Sequence, residues 1–312
     1  MQIVLPGALP DPREARELTS YLQKTAPTLL RWLERGRARI TPADPAQTGC
    51  TPYEQWQLIQ HGFRPLEGQN LSAGLAPLWA EHAAQSDAPV WLAELVHVSP
   101  SRDGAALLPA SELTITPEQS VALFESALSI FEGTGFSAHA CSTERWRLEL
   151  PTDFAPRCAS PALVSVSSVN DWWPQDITAR PWRRLVNELQ MLWFEHPVNQ
   201  ARYQQGLVPI NSLWLFGGAS TNQLRSSGLL ADVQTYDALL APCISHDWGS
   251  WLAALDQLET RVFRPLAGDK PPELVLTGRD RLIEVGPTPW GQLTQWLPGS
   301  QQAWRKWWSH QN

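Results

Sequence analysis

Residues 195–219 constrain the fold of this chain more than any other stretch. They read Glu195-His-Pro-Val-Asn-Gln-Ala-Arg202, continue through Gly206, and end in Pro209-Ile-Asn-Ser-Leu-Trp-Leu-Phe-Gly-Gly-Ala219. Proline has no amide hydrogen and its ring collides with the preceding turn, so the amphipathic helix upstream is expected to stop before Pro197 and give way to a polar turn. The apolar run 213–216 then reads as a buried strand entering a tight turn at Gly217-Gly218.

A chain of 312 residues, 43% hydrophobic and 18% charged, can bury one large core or two smaller ones. Its formal charge of −7 leaves no basic footprint for nucleic acid or an anionic membrane, both of which reward clustered Lys and Arg. The opening Met1-Gln-Ile-Val-Leu-Pro-Gly lacks a basic segment and a long apolar run, so neither a signal peptide nor a membrane span is expected, and the cytoplasm is the default compartment. Cys50, Cys141, Cys158 and Cys243 lie far apart without a Cys-x-x-Cys pair, which suggests reduced thiols.

Seventeen Trp residues are unusual, and their spacing is that of core-facing helices. Trp182, Leu185, Val186, Leu189, Leu192 and Trp193 follow a three-four stripe, as do Trp248, Trp251, Leu252, Leu255, Leu258 and Val262. Val121, Phe124, Leu128 and Phe131 form a third, in a helix opened by Thr116-Pro-Glu-Gln. The tail Trp304-Arg-Lys-Trp-Trp308 either docks on its own domain or offers a patch to a partner, and docking is the favoured reading.

Along the chain, a strand at 2–5 precedes helical sequence over 12–35, broken near Pro27, and a loop over 41–49. Thr51 is expected to cap a helix with Pro52 at its first position, and a second helix covers 75–84. An extended run follows Pro89, then the Thr116 helix and strands at 136–140 and 145–150. That order suggests an inserted α+β domain over 89–158, between the parts 1–88 and 159–312 of an α/β core. The second part reads as strands at 163–169, 213–216, 229–235 and 273–277, with helices at 181–195 and 248–266.

Order and spacing in 195–219 resemble the cofactor-independent, archaeal-type phosphoglycerate mutases of the alkaline-phosphatase superfamily, and more closely the bacterial RpfE-type regulatory proteins. The run Leu113-Thr-Ile-Thr-Pro-Glu118, the strand Arg145-Trp-Arg-Leu-Glu-Leu150, Val96-His-Val98 and Arg102-Asp103 carry the likeness further. It implies an alkaline-phosphatase-like sheet flanked by helices, with an inserted α+β domain. It also implies a test, because that superfamily transfers phosphoryl groups with two divalent metals and an activated hydroxyl. Where the family has Asp-Gly after its first strand, this chain has Pro6-Gly7; where the family has a late Asp-His pair, it has Arg279-Asp280. Proline offers no ligand and arginine stays protonated, so no metal is expected. His246-Asp247 remains, with Asp247 better placed as a helix cap. Cys50 and Thr51 stand near the family's nucleophile position, and Thr51 as a cap is the simpler reading.

The residues matching the signature that could still recognise a phosphoester are His196, Asn199, Arg202 and Asn211, weighed against a purely structural use in the turn. The reading is a noncatalytic, RpfE-type regulatory or ligand-sensing protein with no cofactor, whose partner is a phosphorylated small molecule or a protein. Two alternatives stand beside it: an active mutase or phosphatase using Mn or Zn through divergent ligands, and a Trp-rich protein-interaction module.

Overall fold

Short β-rich runs bounded by Gly and Pro, alternating with capped helices, build two sheets in this chain. The computed structural model describes residues 1–80, 86–102, 104–225, 232–287 and 303–309. Ten strands occur among them: β1 (Gln2–Leu5), β2 (Gly36–Pro42), β3 (Pro89–Ser101), β4 (Gly104–Leu108), β5 (Ser137–Ala140), β6 (Arg145–Glu149), β7 (Ser212–Ser220), β8 (Val233–Thr235), β9 (Glu273–Thr277) and β10 (Arg281–Pro287). The chain divides into two compact units, Met1–Pro45 with Ser227–Asn312, and Ala46–Ser226.

In the first unit the sheet order is β2-β10-β9-β1-β8. β1 runs parallel to β8 and β9, whereas β10 is antiparallel to β9 and β2. Ile3 and Leu5 share a core with Leu274, Leu276 and Ile283, covered by Leu22, Leu29, Trp32, Trp251 and Leu255. Val4 and Val275, pointing the other way, are also buried, as befits a parallel centre with both faces covered. The expected break near Pro27 separates helices Pro12–Thr25 and Pro27–Arg35. At Thr28, the main-chain N–H donates to the buried Glu259 carboxylate at 3.1 Å, satisfying a donor that the new helix start leaves free. Trp304 and Trp308 of helix Ala303–Ser309 are buried in this same core, so the aromatic tail docks.

The second unit is organised by the thirteen-residue strand β3, which pairs with β4, β6 and β7, all antiparallel. Helices Pro117–Phe131 and Arg180–Phe194 bury Leu123, Ala127, Phe131, Trp182, Leu185, Leu189 and Trp193 in its core. Thr51 and Thr116 each form a reciprocal capping box, with Glu54 and Gln119.

Several expectations change. β7 is a strand, but it pairs with β3 in the second unit, not within the parallel sheet of the first. Gly217 and Gly218 continue that strand rather than turning it. Both have positive φ opposite a bulge at Val90/Trp91, where glycine alone relieves the strain. Pro197 opens a new helix, Pro197–Gln204, because its missing N–H falls at the first helical position, where no hydrogen bond is due. The apolar run 163–169 is mostly helical: Ser160 caps Pro161–Ser165 through the Leu163 N–H, and periodicity cannot separate a strand from so short a buried helix. Strands β2 and β10 arise where a loop or no element was expected. On Pro117–Phe131 the buried stripe is Ser120, Leu123, Ala127 and Phe131, while Val121 and Leu128 face solvent. β3 and β6 fall within 89–158, β7 pairs with β3, and the compact unit that holds all three extends over 46–226. Of the strand expected at 229–235, Val233–Thr235 is present and 229–231 lies outside the described residues; so do 81–84 of the helix expected at 75–84, whose visible part is Leu75–Trp79.

Candidate functional site

His196, Asn199 and Arg202 come from the Pro197–Gln204 helix and its cap, and Asn211 from the residue before β7. His196 is the N-cap: its Nδ1 accepts from the Val198 N–H at 3.2 Å, and partial burial lowers its pKa. Asn199 is fully engaged. Its amide donates to the carbonyls of Trp193 at 2.8 Å and Ile210 at 2.7 Å, and its oxygen accepts from Ile210 N at 2.8 Å. Arg202, only 1% exposed, does not pair with Glu195. It donates from Nε to Val208 O, from Nη1 to the Gln119 side chain at 2.7 Å, and from Nη2 to Leu113 O. Asn211 copies a strand residue with its side chain, accepting from Val98 N and donating to Val98 O, both at 2.8 Å. The four residues thus lie along one connection, and three of them spend their polar atoms on main chain or neighbouring side chains that would otherwise be buried without partners.

A second polar cluster in this unit was not anticipated. Glu54 is buried, and its Oε2 accepts from Thr51 N at 2.7 Å, Thr51 Oγ1 at 2.9 Å and Ser160 Oγ at 2.6 Å. Burial pushes its pKa up, against these hydrogen bonds. Close by, Asn70 Nδ2 and Ser72 Oγ both donate to Cys158 O. Cys50 is wholly buried, and burial, then the Glu54 charge, raises its thiol pKa, the reverse of what a nucleophile needs. Thr51 is occupied as the cap. The signal available in the sequence was the Thr-Pro-Tyr-Glu box; the distant Ser160 could not be paired with it from spacing.

The carboxyl ends of β1 and β9 in the first unit are where an α/β sheet ordinarily takes a ligand. Here they are closed by the chain itself. Trp251 Nε1 donates to Gly7 O at 2.9 Å, and Leu9 N donates to Thr277 O at 3.1 Å. Gly7 has φ +75 and no room for a side chain, since a Cβ there would sit 2.6 Å from the Leu240 main chain. Arg279 lies 3.5 Å from Asp11, and Asp280 pairs with Arg281 at 2.8 Å. Asp247 caps its helix through Ser250 N at 3.0 Å, with His246 at positive φ packed edge-on to Trp248. These residues do not fit a dinuclear metal centre: Pro6 and Arg279 stand where the resemblance calls for carboxylate ligands, and neither side chain can bind a cation. Among the described residues no three His, Cys, Asp or Glu side chains are grouped to hold a metal ion.

Fold and site together define a mixed α/β protein whose helix-flanked parallel strands end in a self-closed edge. No family model and no curated protein matches the chain. Similar solved structures include the PH0037 protein from Pyrococcus horikoshii, 14% identical over 92% of this chain and 86% of that one, with a TM-score of 0.45. They also include a cofactor-independent phosphoglycerate mutase from Thermoplasma acidophilum, 13% identical over 92% and 90%, with a TM-score of 0.34. No helix among the described residues is long and apolar enough to cross a membrane.

Proposed function

We propose that this chain is a noncatalytic regulatory or ligand-sensing protein of the RpfE type, built on a mutase-like scaffold and responding to a small phosphorylated or carboxylated molecule. The observation that carries the reading is the closed strand edge: Gly7, Trp251, Arg279 and Arg281 occupy it, with Arg279 paired to Asp11 and Arg281 to Asp280. The two carboxylates at this edge are held by guanidinium groups, so a cation would have to displace an arginine to bind, while an anion of suitable shape could compete with the aspartates. The buried, hard-to-ionise Cys50 and the cap role of Thr51 agree with it, since neither is free to attack phosphorus. A thermal-shift screen of the purified protein against phosphoglycerates and other phosphoesters tests the sensing role. A saturable rise in melting temperature without turnover supports it; conversion of 3-phosphoglycerate contradicts it.

A further inference from the structure

Arg281 opens β10 beside the carboxyl end of β9, and it is 6% exposed. A guanidinium offers a carboxylate or phosphate two parallel N–H bonds along its Nε/Nη2 edge. Among the described residues, Arg281 Nη1 is taken by Asp280, Nε has no partner, and Nη2 makes a 3.5 Å contact with the Trp308 carbonyl. That carbonyl lies in the last turn of helix Ala303–Ser309, at its negative end, and so stands where one oxygen of an anion would sit. The helix itself is docked with polar defects. Among the described residues, Trp308 Nε1 and Arg305 Nε are buried without partners, as is the Nε of Arg281. Its hold comes from the Trp304 and Trp308 rings packed on the core, and seven residues are too few for a helix to persist once undocked.

We propose that the Ala303–Ser309 helix is a releasable strap, and that the Arg281 guanidinium it covers is a binding site for a small oxyanion, a carboxylate or a phosphate. Undocking frees the Nε/Nη2 edge and lets water reach the three orphaned donors. An anion that binds only the undocked form then enlarges its population in proportion to its concentration over its dissociation constant. The proposal rests on the sensing role above and names its seat and its moving part.

Hydrogen exchange on the full chain tests it, with inorganic phosphate, acetate and sodium chloride compared at matched ionic strength. Amides of 303–309 are expected to exchange several-fold faster in phosphate than in chloride, and a faster rate in acetate assigns the seat to carboxylates as well. In Arg281→Gln the phosphate response is lost, and in Arg281→Lys, which keeps charge but not the fork, it falls most of the way. Equal exchange in phosphate and chloride for the unaltered protein overturns the proposal, without reliance on a variant folding. A response undiminished in a folded Arg281→Gln protein overturns it too. If a phosphoester thermal shift survives either result, sensing stands and only the Arg281 seat is removed.

Discussion

Arg202 and Asn199 show how a residue selected for its chemistry can be consumed by the fold. Both types suit phosphate recognition, yet here they satisfy carbonyls and amides at the turn after Trp193 and the approach to β7. Nothing in residue type separates the two uses; the deciding fact is where the main chain leaves unpaired groups, which only the three-dimensional path reveals. Arg202→Met is expected to lower unfolding stability by at least about 2–3 kcal/mol, because it strands buried acceptors. Urea denaturation measures this, and unchanged stability would return the guanidinium to ligand duty. Glu54 supplies a pH-dependent counterpart. Its folded pKa is raised above the ordinary 4.5 by burial, so the native state holds the proton more tightly than the unfolded chain. Stability is therefore highest below the unfolded pKa and falls as pH rises from about there through the folded value. Replacing Glu54 with Gln should flatten that fall in melts recorded between pH 4 and pH 8, and an unaltered slope would place the titration elsewhere.

At the level of elements, β7 and its glycines carry the plainest lesson. Its apolar residues were legible as a strand, as were β1, β3, β5, β6 and β9, because buried alternation and Gly or Pro boundaries are local signals. Its neighbour was not legible, since pairing depends on residues more than a hundred positions away. The same limit hid β2 and β10: Arg37, Arg39 and Pro42 give β2 the look of a loop, although an edge strand tolerates all three. Helix caps at Thr51, Thr116 and Asp247 were readable because capping needs only three or four adjacent residues. Gly217 stores the strand's demands in one residue, with φ +112 and an added Cβ 2.3 Å from Ala76 Cβ. Gly217→Ala should cost roughly 2–4 kcal/mol from strained backbone and overpacking together. Chemical denaturation checks the size, and a loss under about 0.5 kcal/mol would mean the bulge can be rebuilt without glycine.

For the whole molecule, the two units show why resemblance and site must be argued separately. The signature segment resembles a catalytic family but lies in the unit of antiparallel strands, and its polar residues are absorbed there. The closed strand edge lies in the other unit, and its Pro6-Gly7 and Arg279-Asp280 were readable in the sequence as departures from the ligands that the resemblance implies. What the sequence did not disclose was that this edge is filled by Trp251 and covered by the aromatic tail, because both arrive from distant parts of the chain. Metal stoichiometry tests the closed edge directly. Protein prepared without chelator, equilibrated with manganese and zinc and then freed of unbound ions, should carry well under one metal per chain and leave 3-phosphoglycerate unchanged. Two tightly held metal ions per chain, with turnover that follows their loading, would contradict the account.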